Sequence, residues 1–155
     1  MLALCLWITT SGAAFAQSTA RLIVDQWRVE DGLPQNTVTS LAQDERGYLW
    51  IATRKGLARF DGVQFAPVSR VGAMDIGNLR LTAVLPDGDG TLWVSTYGSG
   101  VLRVIGDSVT RYSAAEGVPD DIVWDLYRDR QRRVWLASSS GARVFDGQRW
   151  QARAA

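Results

Sequence analysis

Beyond Gln17 the apolar residues come in short runs, and none of them continues at the 3.6-residue spacing of a helix. In the first stretch the runs Val38–Gln43, Tyr48–Thr53, Leu57–Phe60 and Val63–Val68 predict four strands. The turns between them are Asp44-Glu45-Arg46-Gly47, Arg54-Lys55-Gly56 and Asp61-Gly62, the last a strong two-residue hairpin signal. Leu49-Trp50-Ile51-Ala52 does not alternate between apolar and polar, which predicts a strand covered on both faces.

The pattern then repeats. Trp50-Ile-Ala-Thr-Arg-Lys-Gly56 returns as Trp93-Val-Ser-Thr-Tyr-Gly-Ser-Gly100 and as Trp135-Leu-Ala-Ser-Ser-Ser-Gly141, with the tryptophans 43 and 42 residues apart. An aspartate stands six residues before each tryptophan, at Asp44, Asp87 and Asp129. A Gly/Asp corner follows each third run, at Asp61-Gly62, Gly106-Asp107 and Asp146-Gly147. The lead-in Glu30-Asp31-Gly32-Leu33-Pro34 returns as Glu116-Gly117-Val118-Pro119. Gly32 to Gly117 and Trp50 to Trp135 both span 85 residues, so the register holds across two periods.

Four-stranded antiparallel units repeated at this period predict an all-β fold, a partial β-propeller of three blades. Leu22–Val29 aligns with Asp107–Ala114, which places Trp27 opposite Tyr112 and predicts one leading outer strand ahead of the first blade. The expected organisation is residues 1–16 as a signal peptide, 17–29 as the leading strand, and blades over 30–68, 69–113 and 114–155. Gly32, Trp50, Gly56, Trp93, Gly100, Gly117, Trp135 and Gly141 are the expected structural residues of the repeat. Propellers close with about four to eight blades, so three blades need further repeats or a self-partner.

Residues 1–15 carry no charge and lead to Ala14-Phe15-Ala16, a small-x-small pattern that predicts signal cleavage between Ala16 and Gln17. The stretch is too short to span a bilayer comfortably, and no Lys or Arg precedes Arg21. No membrane span is expected in the mature chain, and the expected location is periplasmic or secreted. Cys5, the one cysteine, lies in this leader, so the mature chain would hold no disulfide and no thiolate zinc site.

Composition excludes several functions. The 155 residues carry 17 Lys+Arg against 16 Asp+Glu, which offers no electrostatic footprint for nucleic acid. There is no histidine, hence no His-dependent triad, no His-ligated metal and no phosphoacceptor histidine. No cofactor is expected.

The stretch Glu30 to Gly62 resembles the two-component regulator propeller repeat, through Asp31-Gly32-Leu33-Pro34, the Val38 strand, Asp44-x-x-Gly47 and Leu49-Trp50-Ile51-x-Thr53-x-x-Gly56-Leu57. The resemblance runs from Arg21 to about Ala152. Two departures stand out: unit two lacks the lead-in around Gly77-Asn78-Leu79, and unit three has Arg132 where glycine is expected. The resemblance implies the N-terminal part of a periplasmic sensory region in a membrane receptor, non-catalytic itself, with a histidine kinase or diguanylate cyclase output elsewhere. A glycan-binding or glycan-cleaving propeller and a truncated, inactive product are the competing readings.

Candidate chemistry is sparse. Asp87-Gly88-Asp89-Gly90 resembles the opening of a calcium loop but lacks the distal glutamate, and it sits where Asp44–Gly47 makes a turn, so no metal site is assigned. Loops that vary on a fixed scaffold are where a ligand would bind. Asn36, Arg54, Lys55, Tyr97, Ser99 and Ser139 are the candidate ligand residues, for an unidentified extracellular ligand with oligosaccharides among the candidates.

Overall fold

The computed structural model describes residues 24–119 and 122–152. The leader, its cleavage site at Ala16 and Gln17, and Cys5 lie outside the described residues. Among those residues no helix is long and apolar enough to cross a membrane.

Three four-stranded antiparallel meanders follow one another along the chain. The first holds β1 (Val38–Gln43), β2 (Leu49–Thr53), β3 (Gly56–Phe60) and β4 (Phe65–Val68). A two-stranded hairpin, β5 (Arg70–Val71) and β6 (Met74–Asp75), precedes the second sheet. That sheet holds β7 (Leu81–Pro86), β8 (Thr91–Thr96), β9 (Val101–Ile105) and β10 (Ser108–Tyr112). The third holds β11 (Val123–Arg128), β12 (Val134–Ser138), β13 (Gly141–Phe145) and β14 (Trp150–Ala152). β7 packs against both β1 and β11, so the first strands line one side of a radial array. The architecture is a partial β-propeller whose sheets do not close into a ring.

The three first strands share one irregularity. Each register shifts after its first residue, between Val38 and Ser40, Leu81 and Ala83, and Val123 and Asp125. Such a bulge turns the strand and re-aims the extra residue. In β1 that residue is Thr39, whose Oγ1 donates to the Leu81 carbonyl of the next blade at 3.1 Å. The backbone N–H of Val84 returns the link by donating to Ser40 Oγ at 3.2 Å.

Hydrophobic burial lies between the sheets rather than within them. Ala42, Trp50, Ala52 and Leu57 of blade 1 pack against Val84, Val94, Leu102 and Val104 of blade 2. Leu85, Trp93, Val101 and Tyr112 of blade 2 pack against Leu126, Leu136, Phe145 and Trp150 of blade 3. Every sheet therefore has a leading face, toward the blade before it, and a trailing face, toward the blade after it. All six residues of β8 are buried because blade 2 is covered on both sides.

Equivalent positions on the outermost faces are open. Leu41 of β1, which corresponds to the buried Val84, is 59% exposed, and Tyr127 of β11, which corresponds to Leu85, is 62% exposed. The same logic separates the three small residues that recur at one position of the second strands, Ala52, Ser95 and Ala137. Ala52 and Ser95 are fully buried, whereas Ala137 is exposed on the trailing face of blade 3.

The lead-ins explain two glycines. Val29–Asp31 and Ala114–Glu116 form single 3-10 turns, closed by Gly32 at φ 105° and Gly117 at φ 83°. An L side chain is strained there, and a Cβ on Gly117 would run into the Trp150 carbonyl oxygen. Leu33 and Val118 follow into the core. Blade 2 lacks this glycine, as its sequence departs from the pattern, and the β5–β6 hairpin instead delivers Ile76 to the same buried place.

The leading outer strand expected over 22–29 is not formed at Val24–Arg28, which pair with no strand among the described residues. An outer strand needs the third strand of its own blade as a hydrogen-bond partner, and the described residues hold none ahead of β1. The packing expected of Trp27 is nonetheless present. Trp27 lies 5.7 Å from Phe60 and 6.1 Å from Phe65, as Tyr112 lies against Phe145 at 5.1 Å.

Candidate functional site

The array has two edges that differ in chemistry. One carries the lead-ins and the β2–β3, β8–β9 and β12–β13 turns, because the start of each first strand pairs with the end of the second, as Val38 does with Thr53. All six candidate ligand residues fall on this edge. The opposite edge carries the turns that begin at Asp44, Asp87 and Asp129 and the Gly/Asp corners.

On the lead-in edge each candidate has a local structural setting. Asn36 Oδ1 accepts from the Val29 N–H at 2.9 Å and thereby ties the lead-in to β1. The Arg54 N–H donates to the Thr37 carbonyl at 3.2 Å, and the Lys55 N–H donates to Thr53 Oγ1 at 3.1 Å, which leaves both cationic side chains exposed. Gly56 N–H donates to the Leu79 carbonyl of the next lead-in at 3.0 Å, so this turn is clamped between blades. Tyr97 is 44% exposed, and the Arg80 guanidinium stacks on its ring at 4.0 Å. Ser99 is fixed by its N–H to Thr96 Oγ1 at 3.0 Å and by its carbonyl, which accepts from Arg111 Nε at 2.8 Å. Ser139 is exposed on the β12–β13 turn.

Arg80 was not among the sequence candidates. It stands in the lead-in of blade 2, where the recurring motif is lost and no repeat alignment marks it. Its stacking on Tyr97 makes an amphipathic surface, an aromatic ring under a planar cation.

The opposite edge holds a cleft of about 580 Å³ between the turns of blades 1 and 2, reached by Arg128 of blade 3. Its size suits a small ligand. Three of its aspartates, however, are occupied in turns or in an ion pair. Asp44 Oδ1 accepts from the N–H groups of Arg46 and Tyr48 at 3.0 Å each, and Oδ2 accepts from Trp50 Nε1 at 2.9 Å. Asp87 accepts from Arg128 Nη1 at 2.6 Å. Asp89 accepts from the Thr91 N–H at 2.9 Å.

Carboxylate acidity follows from the same turn chemistry. N–H groups of Gln64 and Val63 hold Asp61 below the ordinary carboxylate value, and those of Arg149 and Gln148 do so for Asp146. The Thr91 hydroxyl and N–H lower Asp89, and the Ser113 N–H and hydroxyl lower Glu116. At Asp129 desolvation raises the value, but the Trp135 indole, the Arg133 N–H and the Arg133 guanidinium together bring it down to about 2. These five groups are held as anions, the opposite of a carboxyl tuned to donate a proton. Among the described residues, no cluster of three or more metal-ligating side chains occurs.

Comparison with known proteins places this architecture. The sequence pattern of the two component regulator propeller family matches residues 32–55, 75–98 and 117–140, one segment in each blade. Histidine kinase P4 of Formosa agariphila is 51% identical over 35 residues, covering 23% of this chain and 3% of that protein. The extracellular domain of the hybrid two component system BT3049 from B. thetaiotaomicron superposes with a TM-score of 0.67 at 22% identity, over 83% of this chain and 18% of that one. PorZ, a bacterial surface component of the type-IX secretion system of Porphyromonas gingivalis, gives a TM-score of 0.58 at 16% identity, over 70% of this chain and 17% of that one. The chain thus spans a small part of each relative, and the structural likeness is one of fold. With a matching segment in every blade, the chain carries three repeats of the two component regulator propeller family.

Proposed function

We propose that the chain forms part of an extracellular or periplasmic sensory propeller that binds a polar ligand on its lead-in edge without turning it over. The observation that carries this reading is the Tyr97–Arg80 stack, set on the same edge as the exposed Arg54 and Lys55. An aromatic face flanked by cations suits a hydroxylated ligand bearing an acidic group, such as an oligosaccharide with uronate units. Arg54 and Lys55 supply charge, Tyr97 and Arg80 supply the platform, and Ser99 and Ser139 supply hydrogen bonds from neighbouring turns. Asn36 has a positioning role, since it holds the lead-in against β1.

Signalling in this reading is a shift in blade packing on ligand binding, because the turns that carry Arg54 and Lys55 are clamped to the next lead-in. The phosphoryl chemistry of a kinase output would reside elsewhere, as this sequence has no histidine. The downward-held carboxylates support a binding rather than a hydrolytic role.

The test is calorimetric titration of the full chain with neutral and uronate-containing oligosaccharides, with each mixture checked by chromatography for shorter products. Binding of the acidic set, weakened at least tenfold by Tyr97→Ala or Arg54→Ala and with no cleavage, is expected. Release of shorter sugars, or binding unaffected by both substitutions, would overturn the reading.

A further inference from the structure

The cleft between the turns of blades 1 and 2 holds charges that the fold leaves unpaired. Among the described residues the ion pairs are Arg128–Asp87 and Arg133–Asp129, so Glu45, Arg46 and Arg59 line the cleft outside any ion pair. Arg59 is exposed, and its guanidinium lies over the Tyr48 ring, 4.4 Å from the centroid. Gly88 makes room at the centre. Its φ is not positive, so its backbone does not require glycine, and the same place in the other two turns carries a side chain, Glu45 or Arg130. A Cβ on Gly88 would stand 3.3 Å from Arg128 Nη1 and would run into Glu45 Oε1. A carboxylate and a guanidinium thus flank one point beside Gly88 without pairing with each other.

A second observation lies behind Arg128. Trp50 and Trp135 donate their indole N–H groups to Asp44 and Asp129, at 2.9 and 2.8 Å. Trp93 is 2% exposed and its indole N–H has no partner, while Asp87, the equivalent aspartate, accepts from Arg128 at 2.6 Å. The Asp87 turn nevertheless closes like the other two. Its Asp87 N–H donates to the Thr91 carbonyl at 2.7 Å and its Gly90 N–H to the Asp87 carbonyl at 3.0 Å, the pair of bonds also made at Asp44 and Asp129. The backbone that lets the other aspartates reach their tryptophans is therefore in place at Asp87.

We propose that this cleft binds a free amino acid, whose carboxylate replaces Asp87 on Arg128 and whose ammonium group pairs with Glu45. Arg128 already holds a carboxylate here, and a guanidinium fork suits one from a ligand equally. Glu45 brings the opposite charge to the same point, which matches a carboxylate with an ammonium beside it rather than a simple anion. The Arg59–Tyr48 stack offers a planar face to the ligand side chain, and the volume of about 580 Å³ accommodates it. Asp87, once released, accepts the buried N–H of Trp93, and satisfying that group favours the exchange. Occupancy is thereby coupled to the junction of blades 2 and 3, where Trp93 packs on Tyr112, Phe145 and Trp150. The proposal is independent of the sensory reading, since it concerns the opposite edge and is read at Trp93 with no oligosaccharide present.

The experiment is NMR titration of the isotope-labelled full chain with L-glutamine and with L-phenylalanine, followed at the Trp93 indole N–H, which Trp93→Phe identifies. A saturable downfield move with at least one of the two is expected, together with binding weakened about tenfold by Arg59→Gln. Gly88→Val should abolish the response by filling the point between Glu45 and Arg128. Arg59 is exposed, so Arg59→Gln keeps the circular dichroism of the parent and serves even where Gly88→Val does not fold. In Arg128→Met the resonance should stand downfield from the start and ignore the amino acid. A resonance that neither amino acid moves overturns the proposal. So does one that acetate or inorganic phosphate moves as far, which would show a site for simple anions, or a response that persists unchanged in Arg59→Gln and Arg128→Met.

Discussion

The junction of blades 1 and 2 and the junction of blades 2 and 3 use the same slot with different chemistry. In the first, Trp50 is only partly buried among valines and keeps its indole N–H on Asp44. In the second, Trp93 is 2% exposed among aromatic rings, and its indole N–H has no partner. One difference between the junctions lies one residue before each turn aspartate. Blade 2 has Pro86 there, which cannot reach Asp44, whereas blade 3 has Arg128, which draws Asp87 away into an ion pair at 2.6 Å. Blade 3 itself restores the simpler state, with Trp135 Nε1 donating to Asp129 at 2.8 Å. A repeat can thus keep its fold while exchanging a hydrogen bond for an inter-blade ion pair and deeper burial.

The sharpest way to break this contrast is to truncate both tryptophans. Trp93→Ala should cost about 3–5 kcal/mol of unfolding free energy, since it empties a buried aromatic cluster. Trp50→Ala should cost roughly half as much, because Trp50 is already partly solvated and its aliphatic neighbours can close in. Urea denaturation of the two variants measures the difference, and equal losses would deny the junctions their distinct character.

Glycines separate the two edges in the same manner. Gly117→Ala forces a left-handed backbone on alanine and drives its Cβ into the Trp150 carbonyl, for a loss of about 3 kcal/mol. Gly147 has φ 104° but nothing within 4 Å of an added Cβ, so Gly147→Ala should lose only the backbone term, about 1–2 kcal/mol. Thermal melts of the pair report the gap.

A smaller effect distinguishes blade 3 from blade 2 through pH. Asp129 is lowered from 3.8 to about 2 in the folded chain, so its stabilisation is fully present above pH 4 and disappears as pH falls toward 2. Asp129→Ala should lower the melting temperature at neutral pH, with the difference from the parent vanishing near pH 2. A difference that persists there would point to a packing defect instead.

The smallest effect is expected at Arg128. Its pair with Asp87 is partly exposed, and such pairs contribute about 0–1 kcal/mol. Arg128→Met frees Asp87 to approach Trp93, so stability should hardly change while the indole N–H resonance moves downfield in an NMR spectrum. An unmoved resonance would mean that Trp93 cannot regain the bond its counterparts make.

Repetition made most of the fold legible. The tryptophan spacing located all three sheets, β1 matches its predicted run residue for residue, and the alignment of Trp27 with Tyr112 foresaw a packing equivalence across 85 positions. What could not be read departs from the repeat. Arg128 and Asp87 lie 41 residues apart, and no counterpart pairs Pro86 with Asp44. The β5–β6 hairpin replaces a lead-in whose glycine is missing, and Arg80 stacks on Tyr97 from within that altered segment. The cleft on the turn edge arises from the spacing of adjacent blades, which periodicity along one chain does not encode.

The central claim is that three sheets stack as one array with blade 2 enclosed between the other two. Amide hydrogen exchange of the full chain tests it most directly, because exchange follows local opening. The slowest amides should be those of β7 and β8, with β1 and β11 faster and β4 and β14 fastest. Equal protection in all three sheets, or a blade 2 that exchanges before its neighbours, would contradict the stacked array.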